Sequence, residues 1–252
     1  MTTFFRFPHT PHLAWLGQDA PRDDKVLSAT EAEEFLAQAV VLEEKVDGAN
    51  LGFSVGSDGE VRAQNRGQFL ARPFTGQFAR LNEWLAIHEE TLFDALGEHL
   101  MLFGEWVAAV HSLEYPNLPD YFLVFDVYDK QVQRFWSTTR RNALVSRLGL
   151  RHIHQNGTGH FRLEALKQML LKTPSTYRAG SCEGLYLRQE NDDWLMARAK
   201  LVHPDFVQSI GDHWRSRTLR WNKLLDGQTG CNEQAMGHLS GKTTSANSLL
   251  IK

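Results

Sequence analysis

Lys45 stands in the run Glu44-Lys45-Val46-Asp47-Gly48-Ala49-Asn50, at the end of an apolar stretch from Val40 to Leu42. A primary amine is a nucleophile only without its proton, and free lysine titrates at about 10.4. A reactive lysine therefore needs burial or neighbouring cations that favour the neutral form. Taken alone the run reads as an exposed lysine in a hairpin. Residues 39–46 form one strand; in the next, Ala49, Leu51, Phe53 and Val55 alternate with Asn50, Gly52 and Ser54. Asp47-Gly48 between them suits a tight turn.

Three other places carry residues of chemical interest. The apolar run 100–107 is interrupted by Gly104-Glu105, and the run 121–128 contains Asp126. A carboxylate in a buried strand is costly unless it is paired or faces a cavity. Further on, Glu183-Gly184 heads an apolar strand through Arg188. After a turn at 190–193, Leu195, Ala197, Ala199 and Leu201 alternate with Met196, Arg198 and Lys200. A period of two places Arg198 and Lys200 on one face. Two cations on one face of a hairpin need an anion to meet, unless the strand is an edge guarded by charge.

The remaining chain supplies the elements that position these residues. Residues 1–27 read as an extended, packed arm with no chemistry assigned. Ser28 and Glu31 fit a capping box opening a short helix through residue 38. A third strand is expected at 60–65, with Arg62 in it and Arg66, Arg72 and Arg80 close behind, and helices at 76–96, 137–148 and 162–171. His152, His154 and His160 lack partners at metal-ligand spacing and read as surface or packing residues. Pro204 starts a final helix, with Phe206, Ile210, Trp214 and Trp221 at roughly helical spacing and Gly227 able to close it. Residues 228–252 are rich in Gly, Ser, Thr and Asn and read as a mobile tail. The domain reading is thus 1–203, a C-terminal helix at 204–227, and the tail.

Composition narrows the class. The 252 residues are 42% hydrophobic and 23% charged, ordinary for a globular protein large enough to bury a full core. A net charge of −3 gives no global attraction to nucleic acid, so any such contact is local. Two cysteines, Cys182 and Cys231, form neither a disulfide framework nor a zinc site. No stretch is apolar enough to span a bilayer and no secretory signal opens the chain, so a reducing, cytoplasmic location is expected.

The ordered set Lys45-Val46-Asp47-Gly48, Arg66, Phe103-Gly104-Glu105, Phe125-Asp126, Glu183-Gly184 and Arg198-Ala199-Lys200 resembles the collinear motifs of the covalent nucleotidyltransferase superfamily of DNA ligases, RNA ligases and capping guanylyltransferases. The resemblance spans about residues 40–202. Asn50, soon after the motif glycine, is similar to the RNA ligase 2 group, and 111–122 is similar to small bacterial RNA-ligase-like proteins. The chain departs from the pattern at Arg198, where many relatives carry lysine.

The resemblance implies an α+β, ATP-grasp-like nucleotidyltransferase domain of antiparallel sheets flanked by helices, with a short helical C-terminal extension and no OB-fold domain. It implies an ATP-dependent RNA ligase whose Lys45 takes AMP from ATP. AMP then passes to a 5′-phosphate end of RNA and is displaced by a 3′-hydroxyl. Mg²⁺ or Mn²⁺ would be held by Asp47, Glu105 and Glu183. Lys200 and Arg198 would hold the α-phosphate, Phe125 would stack on adenine with Glu44 at its N6 edge, and Glu105 would meet the ribose. Asn50 and Arg66 would contact phosphate or the polynucleotide end. An end-healing kinase/phosphatase is a further candidate partner, and no membrane is expected. A DNA ligase, a GTP-using capping enzyme and a nucleic-acid-binding protein with a silent ligase fold are the competing readings.

Overall fold

The computed structural model describes residues 4–18, 25–209 and 218–225. After the N-terminal arm, Ser28 caps α1 (Ala29–Leu36). Its Oγ accepts from the Glu31 amide at 3.2 Å, while Glu31 Oε2 accepts from the Ser28 amide at 2.8 Å, closing the expected capping box. Then come β1 (Val40–Lys45), β2 (Ala49–Val55) and β3 (Val61–Gln64). A 3-10 turn (Gly76–Phe78) leads into α2 (Leu81–Leu96), followed by β4 (Leu100–Trp106), β5 (Phe122–Asp129) and β6 (Arg134–Phe135). The order continues with α3 (Thr138–Arg147), β7 (Arg151–His152), β8 (Gln155–Gly159), α4 (Leu163–Lys172), β9 (Gly184–Glu190), β10 (Leu195–Val202) and α5 (Pro204–Ser209).

The strands form two sheets, ordered β10-β9-β1-β8 and β3-β2-β4-β5-β6, with β7 parallel to β5 and every other named pair antiparallel. This is the expected α+β architecture of antiparallel sheets flanked by helices. Each sheet buries one face under helices. On the six-stranded sheet Phe53, Leu102 and Phe122 pack with Trp84 and Leu85 of α2 and Val145 of α3. On the four-stranded sheet Leu42, Leu185 and Leu201 pack with Phe35 of α1 and Leu166 of α4.

The expected hairpin at Asp47-Gly48 is corrected. β1 pairs with β8 and β9, whereas β2 pairs with β3 and β4, so the chain crosses between sheets at this point. The crossing brings Gly48 against β4. A Cβ there would lie 2.6 Å from the Trp106 carbonyl oxygen, which leaves room only for glycine. The C-terminal helix expected at 204–227 is corrected too. α5 is assigned to Pro204–Ser209, and residues 218–225 run extended, bridging Trp221 to Ala109 and Leu224 to Leu118. The backbone decides this, because the Asn222 amide donates to Ala108 O at 2.8 Å and the Lys223 amide to Tyr115 O at 3.0 Å in place of the i−4 bonds of a helix, and the Asn222 side chain adds bonds to Val107 O and the Tyr115 amide. Ile210, Trp214 and the tail 228–252 lie outside the described residues.

A buried ionic seam joins the two sheets. Asp126 of β5 accepts from Arg188 of β9 at 2.8 Å and also pairs with Arg198 of β10. Glu43 of β1 pairs with Arg141 of α3, whose side chain is 0% exposed. Glu190 closes the series on Arg188. Removing one member leaves an uncompensated buried charge, worth about 3–5 kcal/mol. Arg141→Met is therefore expected to lose about that much stability in urea unfolding, and the double replacement Glu43→Leu/Arg141→Met to lose less than the single. A double variant as unstable as the sum of the two singles would contradict this account.

Candidate active site

Lys45 ends β1 directly opposite Gly184 of β9, and Gly184 in turn faces Val202 of β10. A Cβ on Gly184 would lie 2.5 Å from the Leu201 carbonyl oxygen, so close strand approach demands the glycine of the Glu-Gly pair. The result places Glu183 beside the lysine, whose Nζ donates to Glu183 Oε1 at 2.6 Å. Both side chains are mostly buried, at 18% and 14% exposure. From the other sheet, Asn50 of β2 pairs across to Glu105 of β4. Lys45, Asn50, Arg66, Glu105, Tyr186 and Lys200 line one open polar cleft of about 700 Å³. Arg62 and Arg72, close in sequence to Arg66, pair elsewhere, with Asp58 and Glu89.

A narrow slot of about 20 Å³ adjoins the cleft, with Phe7, Glu44, Val46, Phe125, Ile153 and Arg198 among its walls. Glu105 and Tyr186 line both spaces, which makes them two compartments of one site. Glu44 is partly committed at the slot, accepting from Ser175 Oγ at 2.6 Å and the Thr176 amide at 2.9 Å.

Several buried polar atoms in this region have no hydrogen-bond partner among the described residues. They are Asn50 Oδ1 and Nδ2, Arg66 Nε and Glu183 Oε2. Buried polar groups are ordinarily satisfied, and four such atoms around one amine suit a polar, charged ligand.

The charges differ from the sequence expectation. Burial works against the Lys45 ammonium, but Glu183 outweighs it, with Tyr186 and Glu105 adding, so the amine is held above the usual lysine range. The expectation that burial and nearby cations leave it neutral is thereby corrected, because the neighbouring carboxylates favour the charged form. Burial pushes Glu105 up to about 8, against the pull of Lys45 and with Glu183 and Asp47 repelling its charge. Burial likewise raises Glu183, partly countered by Lys45.

Two residue roles also change. Arg198 reaches Asp126 and lies over the rings of Phe135 and Phe7 at 4.2 and 5.0 Å. The anion its strand face requires is Asp126, so Arg198 walls the slot, and of this pair it is Lys200 that lines the cleft with Lys45. The ligand trio Asp47, Glu105 and Glu183 is not preassembled. Asp47 Oδ2 accepts from the amides of Ser112 at 2.7 Å and Leu113 at 2.9 Å, tying down that loop. Among the described residues no three acidic, His or Cys side chains converge to hold a metal ion, the histidines near 152–160 included. Glu105 and Glu183 still fit a hard cation, since Glu183 Oε2 is buried with no hydrogen-bond partner among the described residues and each carboxylate feels the negative charge of its acidic neighbours.

Sequence reading missed Tyr186, Tyr115 and Phe7. Tyr186 sits in register with Lys200 and Glu43. Its signal was there, for Gly184, Tyr186 and Arg188 alternate with Leu185 and Leu187. Tyr115 accepts from the Asp47 amide at 2.8 Å through its hydroxyl, a contact that sequence separation conceals.

Because its carboxyl titrates higher in the folded chain than in the unfolded one, Glu105 contributes stability present below the ordinary glutamate range and lost as pH rises through about 8. Glu105→Gln should match wild type in Tm near pH 4 and exceed it increasingly towards pH 9. A constant Tm difference across that range would contradict the assignment.

The family model for RNA ligase matches residues 38–202, more than half of the chain. No curated protein sequence matches. Among solved structures, a Naegleria gruberi RNA ligase with pyrophosphate superposes with a TM-score of 0.57 at 19% identity, covering 70% of this chain and 53% of that one. A point variant of a Naegleria gruberi RNA ligase with ATP and Mn gives a TM-score of 0.60 at 18% identity, covering 83% and 59%. An archaeal ATP-dependent RNA ligase gives 0.57 at 22%, covering 79% and 48%. At these identities the likeness is one of fold, and the chain spans about half the length of these ligases.

Proposed function

The chain belongs to the RNA ligase family, and on that premise we propose that it is an ATP-dependent RNA ligase working through a lysyl-AMP intermediate on Lys45. One observation carries the reading: a mostly buried amine 2.6 Å from Glu183, in a cleft shared with Asn50 and Arg66, with polar atoms of Asn50, Arg66 and Glu183 that find no partner among the described residues. The RNA ligases of similar fold that hold ATP and Mn, or pyrophosphate, support it.

In the first step Lys45 Nζ, after losing its proton, attacks the α-phosphorus of ATP. A nitrogen–phosphorus bond forms and the bond to pyrophosphate breaks. Glu183 Oε1 is the base within hydrogen-bond reach of that proton. Lys200 and Arg66, both lining the cleft, offset the phosphate charge. The base lies against Phe125 in the slot, with Glu44 at its rim. Mg²⁺ or Mn²⁺, held by Glu105 and Glu183, would supply charge neutralisation at phosphorus and draw negative charge away from the amine. AMP then passes to the 5′-phosphate of an RNA end, and attack by a 3′-hydroxyl expels AMP and seals the strand.

Incubation with α-labelled ATP and Mg²⁺ is expected to give a covalent protein–AMP band that survives SDS and vanishes in Lys45→Ala. Labelling by GTP alone would replace the ligase by a capping reaction. With 5′-phosphorylated nicked duplexes, RNA nicks are expected to be sealed faster than all-DNA nicks, and equal or better DNA sealing would make the protein a DNA ligase. Lys200→Ala is expected to lose at least about 100-fold in adenylation rate, the order seen when one oriented donor to a developing oxyanion is removed. A near-normal rate in that variant would remove Lys200 from the phosphate site.

A further inference from the structure

We infer that the N-terminal arm is part of the nucleotide site, with Phe7 as a wall of the base slot, a deepening of the reading above that rests on it. Phe7 lies outside residues 38–202, the family-matched segment, yet it lines the slot together with Phe125, Val46 and Ile153. Its ring meets Phe125 edge-on, with centroids 5.3 Å apart at 63°. It also carries the Arg198 guanidinium over its face at 5.0 Å. A base entering the slot therefore meets an aromatic corner built by two separate segments, and the plane of Phe125 is set by the ring from the arm.

The arm is attached where the phosphate-side lysine sits. The Lys200 amide donates to Pro11 O at 2.9 Å and the Leu13 amide donates to Lys200 O at 2.8 Å. One short segment thus braces β10 at Lys200 and lends a side chain to the slot. The slot of about 20 Å³ holds roughly one water molecule, so the base seats only as these rings adjust around it. Phe5 provides a control. It shares the aromatic cluster with Phe7 and stacks on Tyr128 at 4.1 Å, but it is not among the slot's walls.

The test is single-turnover labelling of the full chain with α-labelled ATP, comparing wild type with Phe7→Leu, Phe7→Met and Phe5→Leu. Both Phe7 variants are expected to raise the half-saturating ATP concentration roughly three- to tenfold, the worth of one aromatic edge contact. Their rate at saturating ATP should stay within about twofold of wild type, and Phe5→Leu should leave the half-saturating concentration unchanged. Phe7→Met keeps most of the side-chain volume, which guards against simple unfolding. Unchanged half-saturation in the Phe7 variants, or an equal rise in Phe5→Leu, would overturn the inference while leaving the ligase reading intact. No labelling of wild type would overturn both.

Discussion

Asp126 is one carboxylate between two guanidinium groups, Arg188 and Arg198, in a seam from which water is largely excluded. Burial works to raise its pKa, but the two arginines outweigh this and hold it below the usual aspartate range. Charges taken from water are tolerated only when each finds its opposite with good geometry. That requirement fixes how the two sheets face each other, because Asp126 comes from one and both arginines from the other. The same ions grip the backbone at the slot. Arg141 donates to the Phe125 carbonyl at 2.7 Å and Arg188 donates to it at 3.1 Å. The aromatic that would meet the base is therefore held by the interaction that holds the sheets.

The geometry of the cleft follows from where that junction falls. Lys45 closes a strand of the four-stranded sheet, and Asn50 opens a strand of the six-stranded one, with the glycine at 48 allowing the chain to cross between them. The amine is stored as an ion pair with Glu183, and burial disfavours the charge of Glu105. The site thus rests with its charges damped. A bound nucleotide and cation would meet polar atoms of Asn50, Arg66 and Glu183 that find no partner among the described residues.

Much of this was legible in the chain. Strand alternation at 49–55 and 195–202, the capping box at Ser28 and Glu31, and the apolar helix at 81–96 all appear close to where pattern placed them. Lys45, Glu105, Asn50, Arg66 and Lys200, singled out along the chain, line one cleft. Other expectations failed for identifiable reasons. The Asp-Gly pair is good turn chemistry, but the two strands bury opposite sheets, so no hairpin forms. Trp221 kept helical spacing with Phe206, yet its segment gains more by laying Asn222 against the backbone of residues 107–115.

The sequence by itself determined which side chains are available, in what order, and on which face of a strand each stands, because strand periodicity is a local property of the backbone. Tertiary structure alone decided which of them meet. Arg198 and Lys200 are equivalent by alternation, yet one is neutralised by a carboxylate contributed from the other sheet and the other faces the cleft. Phe7, bare of any motif, enters the site because its arm lies along β10. Charge pairing and burial depend on distances across sheets, and those distances are set only when both sheets have packed.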